Sequence, residues 1–271
     1  MIRANFHTHS TFCDGRNTPQ QMVDRALELD FVALGFSGHM DPEVVMDWPA
    51  YSAEVKRLAA ENAGTLDILL GAELDNCFDP ATCAGAEYLI GSTHYVPVGD
   101  ELVSVDDTPE RLVAECREHF GGDYYALSRA YFEFEAQVVE RTGCTFVGHF
   151  DLMSCFNDQL RFLDEDDPRY LGPALECMEH LVACGVPLEI NTGAVARGYK
   201  AMPYPNKRLL KALHDFGGRI VINSDAHFVE LLNTGFEQAA QMAVDAGFTH
   251  AGMLAHDEFG TVTWREVALD S

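Results

Sequence analysis

The sequence predicts an α/β fold made of repeated strand–helix units. Short apolar runs that end in polar residues alternate with amphipathic stretches, the pattern of strands followed by helices rather than of a sandwich or a bundle. Seven such runs are read as strands, at residues 4–7, 31–36, 67–72, 88–92, 145–147, 187–190 and 219–222. The chain has 271 residues, more than a usual domain, yet α/β barrels reach this length around a single core. One domain is therefore expected over 1–271.

After the first strand a helix is expected at 19–29. Pro19 suits a first helical turn, where its missing donor would be unused, and Thr18 can cap the free amides. Further helices are expected at 50–60, 109–118, 124–141, 169–183, 207–216 and 231–246. Gly185, Gly217 and Gly247 follow three of them and can take the left-handed conformation that ends a helix. The acidic segment 164–168 reads as a solvated turn, and 253–267, with Phe259-Gly260-Thr261 at its middle, as a terminal hairpin. There is no low-complexity segment, internal repeat or linker.

Composition narrows the function classes. No apolar stretch approaches the roughly 18 residues of a membrane helix, and the first seven residues lack the basic-then-apolar order of a secretory signal. A soluble, cytoplasmic protein without a membrane partner is expected. Its eight cysteines form no CxxC pair and read as buried free thiols. Lys and Arg number 18 against 43 Asp and Glu, for a formal charge of −25, so nucleic acid is not an expected partner. The acidity serves solubility, and it also suits a substrate that carries an amine.

Metal-capable residues follow nearly every strand. His7 and His9 stand two apart after the first, so in extended chain both rings face one way, and Asp14 lies in the turn beyond them. His39 follows the second strand, Glu73 the third, His94 the fourth and His149 the fifth, and Asp225 and His227 follow the last. In a parallel barrel those strand ends converge on one face. Six imidazoles and three carboxylates suit zinc, manganese or iron. Such a group at one mouth is hard to explain by stability unless a cation is bound. The other histidines, His119, His180, His214, His250 and His256, lie in helices or near the C-terminus and are read as ordinary structural residues.

The segments His7-Thr8-His9-Ser10 with Asp14-Gly15, Gly38-His39, Gly71-Ala72-Glu73, Gly91-Ser92-Thr93-His94, Gly148-His149-Phe150-Asp151 and Ser224-Asp225-Ala226-His227 resemble, in order, the motifs of the polymerase and histidinol phosphatase (PHP) family. The resemblance implies a distorted (β/α)7 TIM-like barrel with about three divalent metal ions (Zn, Mn or Fe) at the C-terminal ends of its strands. It further implies that His7, His9, Glu73 and Asp225 hold a first ion. Glu73 would bridge to a second ion, held also by His94 and His149, and Asp14, His39 and His227 would hold a third. Many relatives carry an aspartate where this chain has Gly38, a change expected to alter the support of His39. Where relatives often place basic residues after the His149 motif, this chain reads Leu152-Met153-Ser154-Cys155-Phe156.

Within the family, length, Phe12-Cys13-Asp14-Gly15 and the segment Leu188-Glu189-Ile190-Asn191-Thr192-Gly193 look most like the histidinol phosphatases of histidine biosynthesis. The expected activity is thus phosphomonoester hydrolysis, with metal-activated water as nucleophile, Glu73 as bridge, and Asp225, His227 or a metal-bound water as proton donor. Arg197 and Arg161 are candidates for binding the phosphate. Tyr199 and Lys200 are placed beside them, and Trp48, Tyr95 and Phe228 in the core or at the rim. The rival readings are a phosphoesterase acting on nucleotides or other small phosphoesters, a nuclease or proofreading module, and a protein that stores or senses metal without turnover. A nuclease would need a basic track that the composition lacks. Oligomeric state is not legible in the sequence.

Overall fold

The computed structural model describes residues 2–269. All seven expected strands form and run parallel: β1 (Ala4–Asn5), β2 (Ala33–Phe36), β3 (Asp67–Asp75), β4 (Tyr88–Ser92), β5 (Phe146–Val147), β6 (Leu188–Asn191) and β7 (Ile220–Asn223), hydrogen-bonded in that order. The sheet curls until the segments after its first and last strands meet in a parallel bridge, Thr8 with Ala226. There His9 N–H donates to Ala226 O at 2.9 Å and Ala226 N–H to His7 O at 3.1 Å. The result is a distorted seven-stranded barrel.

The two-residue period of a strand sorts its side chains between inside and outside. On β3, Leu69 joins Phe6, Tyr88, Phe146 and Val221 in an inner cluster, while Ile68 and Leu70 belong to the outer core under the helices. The helices supply their half at helical spacing: Met22, Val23 and Ala26 from Pro19–Glu28, and Leu209, Leu210 and Leu213 from Lys207–Asp215. Burying each large side chain of this kind stabilises the fold by about 1.5–3 kcal/mol. Thr18 caps Pro19–Glu28 by accepting from Gln21 N–H, and Gly185, Gly217 and Gly247 take positive φ of 79°, 76° and 110°.

The terminal hairpin is present as β8 (His250–His256) and β9 (Val262–Ala268), paired antiparallel. It covers the N-terminal end of the barrel. Leu254 enters the inner cluster and Trp264 packs edge-on against Phe146 at 6.2 Å. His256 ties the hairpin to the β3–β4 side: its N–H donates to Asp67 Oδ2 at 2.9 Å, and its ring lies 2.6 Å from Asp67 Oδ1 and 2.8 Å from Glu87 Oε1. The C-terminal strand ends remain as the open mouth.

Three elements differ from expectation. The helix expected at 124–141 divides into Tyr124–Glu135 and Val138–Thr142. Asn76 Nδ2 donates to Phe134 O at 2.7 Å, and Gln137 N–H closes a three-residue turn on the same carbonyl, which interrupts the helical ladder. The helix expected from 231 begins at Phe236, after a 3₁₀ turn at Val229–Leu231. A hairpin not anticipated, Tyr95–Val98 with Glu101–Ser104, rises beside the mouth. No disulfide forms among the described residues; five of the eight free thiols are buried as expected, but Cys184 is exposed. No described helix is long and apolar enough to cross a membrane.

Candidate metal centre

All nine candidate ligands meet at the mouth. Glu73 stands at the centre because β3 runs on past 72 and carries it fully inside. Its Oε2 lies 3.1 Å from His7 Nε2, 3.4 Å from His9 Nε2 and 3.1 Å from His39 Nδ1. Its Oε1 lies 2.8 Å from His149 Nε2 and 3.2 Å from His94 Nε2, and accepts from Ser92 Oγ at 2.7 Å. Asp225 Oδ1 adds a carboxylate 3.0 Å from His9 Nε2 and 3.6 Å from His7 Nε2. Asp14 and His227 stand further out, 3.0 Å apart, and the His9 and His227 rings stack at 4.1 Å.

These contacts test whether the residues fit a cation. His7 Nε2, His9 Nε2, His39 Nδ1 and Glu73 Oε2 are buried and form no hydrogen bond, although they face one another. Buried polar atoms are rarely left so, because each unmet one costs free energy. Lone pairs aimed at a shared space, without hydrogen-bond geometry, suit metal coordination. Four convergent sets follow: His7, His9 and Asp225; His7, Glu73 and His149; His39, Glu73 and His94; and His9, Asp14, His39 and His227. Relative to the expected partition, His94 and His149 fall in different sets, His149 with His7 and His94 with His39 around Glu73, and His9 also reaches the outermost set.

The electrostatics agree. Burial resists charging His7, but Glu189, Glu73 and Asp225 outweigh it and hold that imidazole's pKa well above its ordinary value. Burial, then His227 and His39, pull His9 down to about 3. Burial works against ionising Glu73, yet His7, His39 and His94 keep its carboxyl well below the usual range. The carboxylates thus create a demand for positive charge that protons on imidazoles meet in part. Divalent ions would displace those protons, so metal binding should release protons and weaken in acid.

Several functional residues escaped the sequence reading. Glu189, buried in β6, is a hub: Oε1 accepts from His7 Nδ1 at 2.9 Å and Asn223 Nδ2 at 2.8 Å, and Oε2 from His149 N–H at 2.9 Å and Asn191 Nδ2 at 2.8 Å. Asp75 accepts from His94 N–H at 2.9 Å and lies 3.2 Å from its Nδ1, and Asp41 lies 3.5 Å from His39 Nδ1. Both stand two residues after a ligand, a spacing that could have revealed them. Asp106, delivered by the unanticipated hairpin, lines the mouth, and burial raises its pKa.

At Gly38 a Cβ would stand 2.7 Å from Met46 Sδ and 3.3 Å from Cys13 Sγ, so those side chains occupy the space that a larger residue would need. At Gly193 an added Cβ would crowd the site itself, 2.8 Å from Asp225 Oδ2 and 3.0 Å from Arg197 Nη2.

The mouth is a cavity of about 380 Å³. Its walls differ in charge: Asp41, Glu43, Asp106 and Asp107 stand on it, as do Arg16 and Arg197. Arg197 Nη2 donates to Asp225 Oδ2 at 2.8 Å, so the candidate phosphate fork is engaged with a candidate ligand. Arg161 corrects an expectation. It is exposed, ends the short helix Asn157–Leu160 in a left-handed conformation with φ 52°, and does not line the mouth. Tyr199, Tyr95 and Phe228 do line it. Lys200 is buried instead against Ser154 Oγ at 2.8 Å and Glu165 Oε1 at 3.2 Å, and Trp48 Nε1–H donates to Ala84 O. A larger groove of about 630 Å³ at the hairpin end contains His214 and His250, which belong to none of the convergent sets.

The chain is similar to known proteins along most of its length. The family model described as "PHP domain" matches residues 5–193. A protein named "Probable histidinol-phosphatase" from Deinococcus radiodurans is 31% identical over 265 residues, covering 89% of this chain and 92% of its own length. One of the same name from Schizosaccharomyces pombe is 24% identical over 294 residues, covering 98% and 94%. The crystal structure of histidinol phosphate phosphatase from Lactococcus lactis, complexed with zinc, L-histidinol and phosphate, superposes with a TM-score of 0.73 at 22% identity, over 93% of this chain and 96% of that one.

Proposed function

Because the chain belongs to the PHP domain family, we propose that it is a metal-dependent phosphomonoesterase whose substrate is L-histidinol phosphate, hydrolysed to L-histidinol and phosphate in histidine biosynthesis. The carrying observation is the set of buried, unbonded imidazole and carboxylate atoms converging under a mouth with both acidic and basic groups on its wall. We read residues 1–271 as one catalytic domain, working in the cytoplasm, where a biosynthetic enzyme meets its substrate.

His7, His9 and Asp225 would hold one ion, His94 and His149, which share Glu73 Oε1, a second, and Asp14, His39 and His227 a third, while Glu73 Oε2 faces His7 and His9. When bound, such ions lower the pKa of a water and neutralise phosphoryl oxygens. The chain's own groups do the rest. Glu189 and Asp75 orient His7 and His94. Arg197 holds Asp225 and lies within the mouth, where its remaining donors can meet a phosphate. Asp106 and Asp107 offer carboxylates to an ammonium on the leaving alcohol, and an arriving cation would favour the charged form of Asp106. Nucleotides and simple sugar phosphates carry no such amine on the alcohol and would leave these carboxylates unpaired.

The test is phosphate release by metal-loaded protein from histidinol phosphate, nucleotides, sugar phosphates and p-nitrophenyl phosphate. The expected kcat/KM for histidinol phosphate exceeds the others by at least about 10²-fold, as two lost charged contacts imply. Equal rates across the panel would remove the substrate assignment, and no hydrolysis of any ester would remove the phosphatase reading.

A further inference from the structure

Among the basic residues lining the mouth, Arg197 is engaged with Asp225. Arg16 is not so engaged: among the described residues no carboxylate lies within 4.0 Å of its guanidinium and no side chain or carbonyl accepts from it. It is nevertheless held in place. Arg16 N–H donates to His227 O at 2.9 Å, and one residue on, Asn17 Oδ1 accepts from Val229 N–H at 3.1 Å. The guanidinium lies 4.4 Å over the Phe228 ring. Although Arg16 is exposed, a cation–π contact at this distance restrains its guanidinium while leaving its donors free for a ligand.

The other charged residues on this wall are acids, in a chain of net charge −25. A restrained, unpaired guanidinium beside the outermost ligands Asp14 and His227 has an anion as its natural partner.

We propose that Arg16 is a substrate-binding residue, the guanidinium that captures the phosphate of the incoming ester at the mouth. This rests on the phosphoester reading. Ordering little on binding, the stacked fork loses less entropy than a free surface arginine would. Because the charged residues of the mouth other than the two arginines and the histidines are acids, Arg16 also gives the dianion a local attraction that salt screens.

The experiment uses the full-length, metal-loaded protein and its Arg16→Met and Arg16→Lys variants. Inorganic phosphate binding is measured by calorimetry, KM and kcat with p-nitrophenyl phosphate, and metal content by elemental analysis. For Arg16→Met the phosphate Kd and the KM should each rise about tenfold or more, as for a lost charge-assisted contact, with kcat changed less than about threefold. Metal content should match the parent. Lysine should recover only part of the affinity. Phosphate bound by Arg16→Met as tightly as by the parent would overturn the proposal and leave the phosphatase reading intact. A parent that binds phosphate in an Arg16-dependent way yet hydrolyses no ester would overturn the function and leave Arg16 standing. A parent that does not bind phosphate would overturn both.

Discussion

Replacing Glu189 by Gln changes one atom at the centre of the second layer of the site. Four donors converge on its two oxygens, from His7 Nδ1, Asn223 Nδ2, His149 N–H and Asn191 Nδ2. A glutamine keeps one acceptor oxygen and turns an amide nitrogen toward the other two donors. Flipping the asparagines would not repair this, since Asn191 Oδ1 accepts from Gly193 N–H and Asn223 Oδ1 from Phe6 N–H, both at 2.8 Å. Two hydrogen bonds to a charged group are therefore lost, at about 1.5–3 kcal/mol each before relaxation. Freed of its carboxylate partner, His7 should bind metal about 10- to 100-fold more weakly. Zinc titration against a competing chelator and thermal melting of the metal-free protein read the two effects separately. Before relaxation the two losses correspond to a drop in Tm of roughly 6–24 °C, at about 2–4 °C per kcal/mol for a chain of this size. A variant with parental zinc affinity would refute the orienting role of Glu189.

Two further outcomes follow from the same contacts. Arg197→Met should deprive Asp225 of the guanidinium that, against burial, holds its pKa well below the usual range; the expected result is weaker metal retention together with a higher KM. Unchanged metal content with a raised KM alone would return Arg197 to the simple phosphate fork that the sequence suggests. His256 provides a pH test remote from the metal centre. Burial lowers its pKa, but hydrogen bonds to Asp67 and Glu87 outweigh this and raise it. The stabilisation is then fully present below the unfolded value, about 6.5, and is lost as pH rises through the raised folded value. Thermal melts between about pH 5.5 and pH 9 should show a decline that His256→Gln lacks, and identical profiles would show that the clasp contributes nothing.

The candidate ligands were legible because strand periodicity and parallel topology leave little freedom. A polar residue just past an apolar run must stand at the mouth, and His7, His9, Glu73, His94, His149 and Asp225 all do. The supporting residues were hidden for different reasons. Glu189 lies inside an apolar strand, where its contacts come from residues 40 and 182 positions away as well as from nearby. The hairpin that brings Asp106 was overlooked although Gly99-Asp100 between alternating runs is a turn signal, and Gly99 has φ 62°. Arginines were the hardest to place. Their long side chains take their contacts from tertiary neighbours, so Arg161 and Arg197 drew attention while Arg16, two residues past a ligand, did not.

At Gly38 the sequence leads one to expect that the support of His39 is altered, and the local geometry shows what stands there. In the structure the volume belongs to Met46 and Cys13, and an aspartate could enter only by moving a methionine that is itself buried. A carboxylate does stand near His39: Asp41, two residues later, has Oδ2 3.5 Å from His39 Nδ1, an ion-pair distance without hydrogen-bond geometry, while its Oδ1 accepts from Glu43 and Val44 N–H at 2.8 Å. A carboxylate anchored by two backbone donors holds its orientation, as a residue steadying a ligand must. In this chain the charge near His39 thus lies after the candidate ligand rather than before it, with Met46 filling the space beside Gly38.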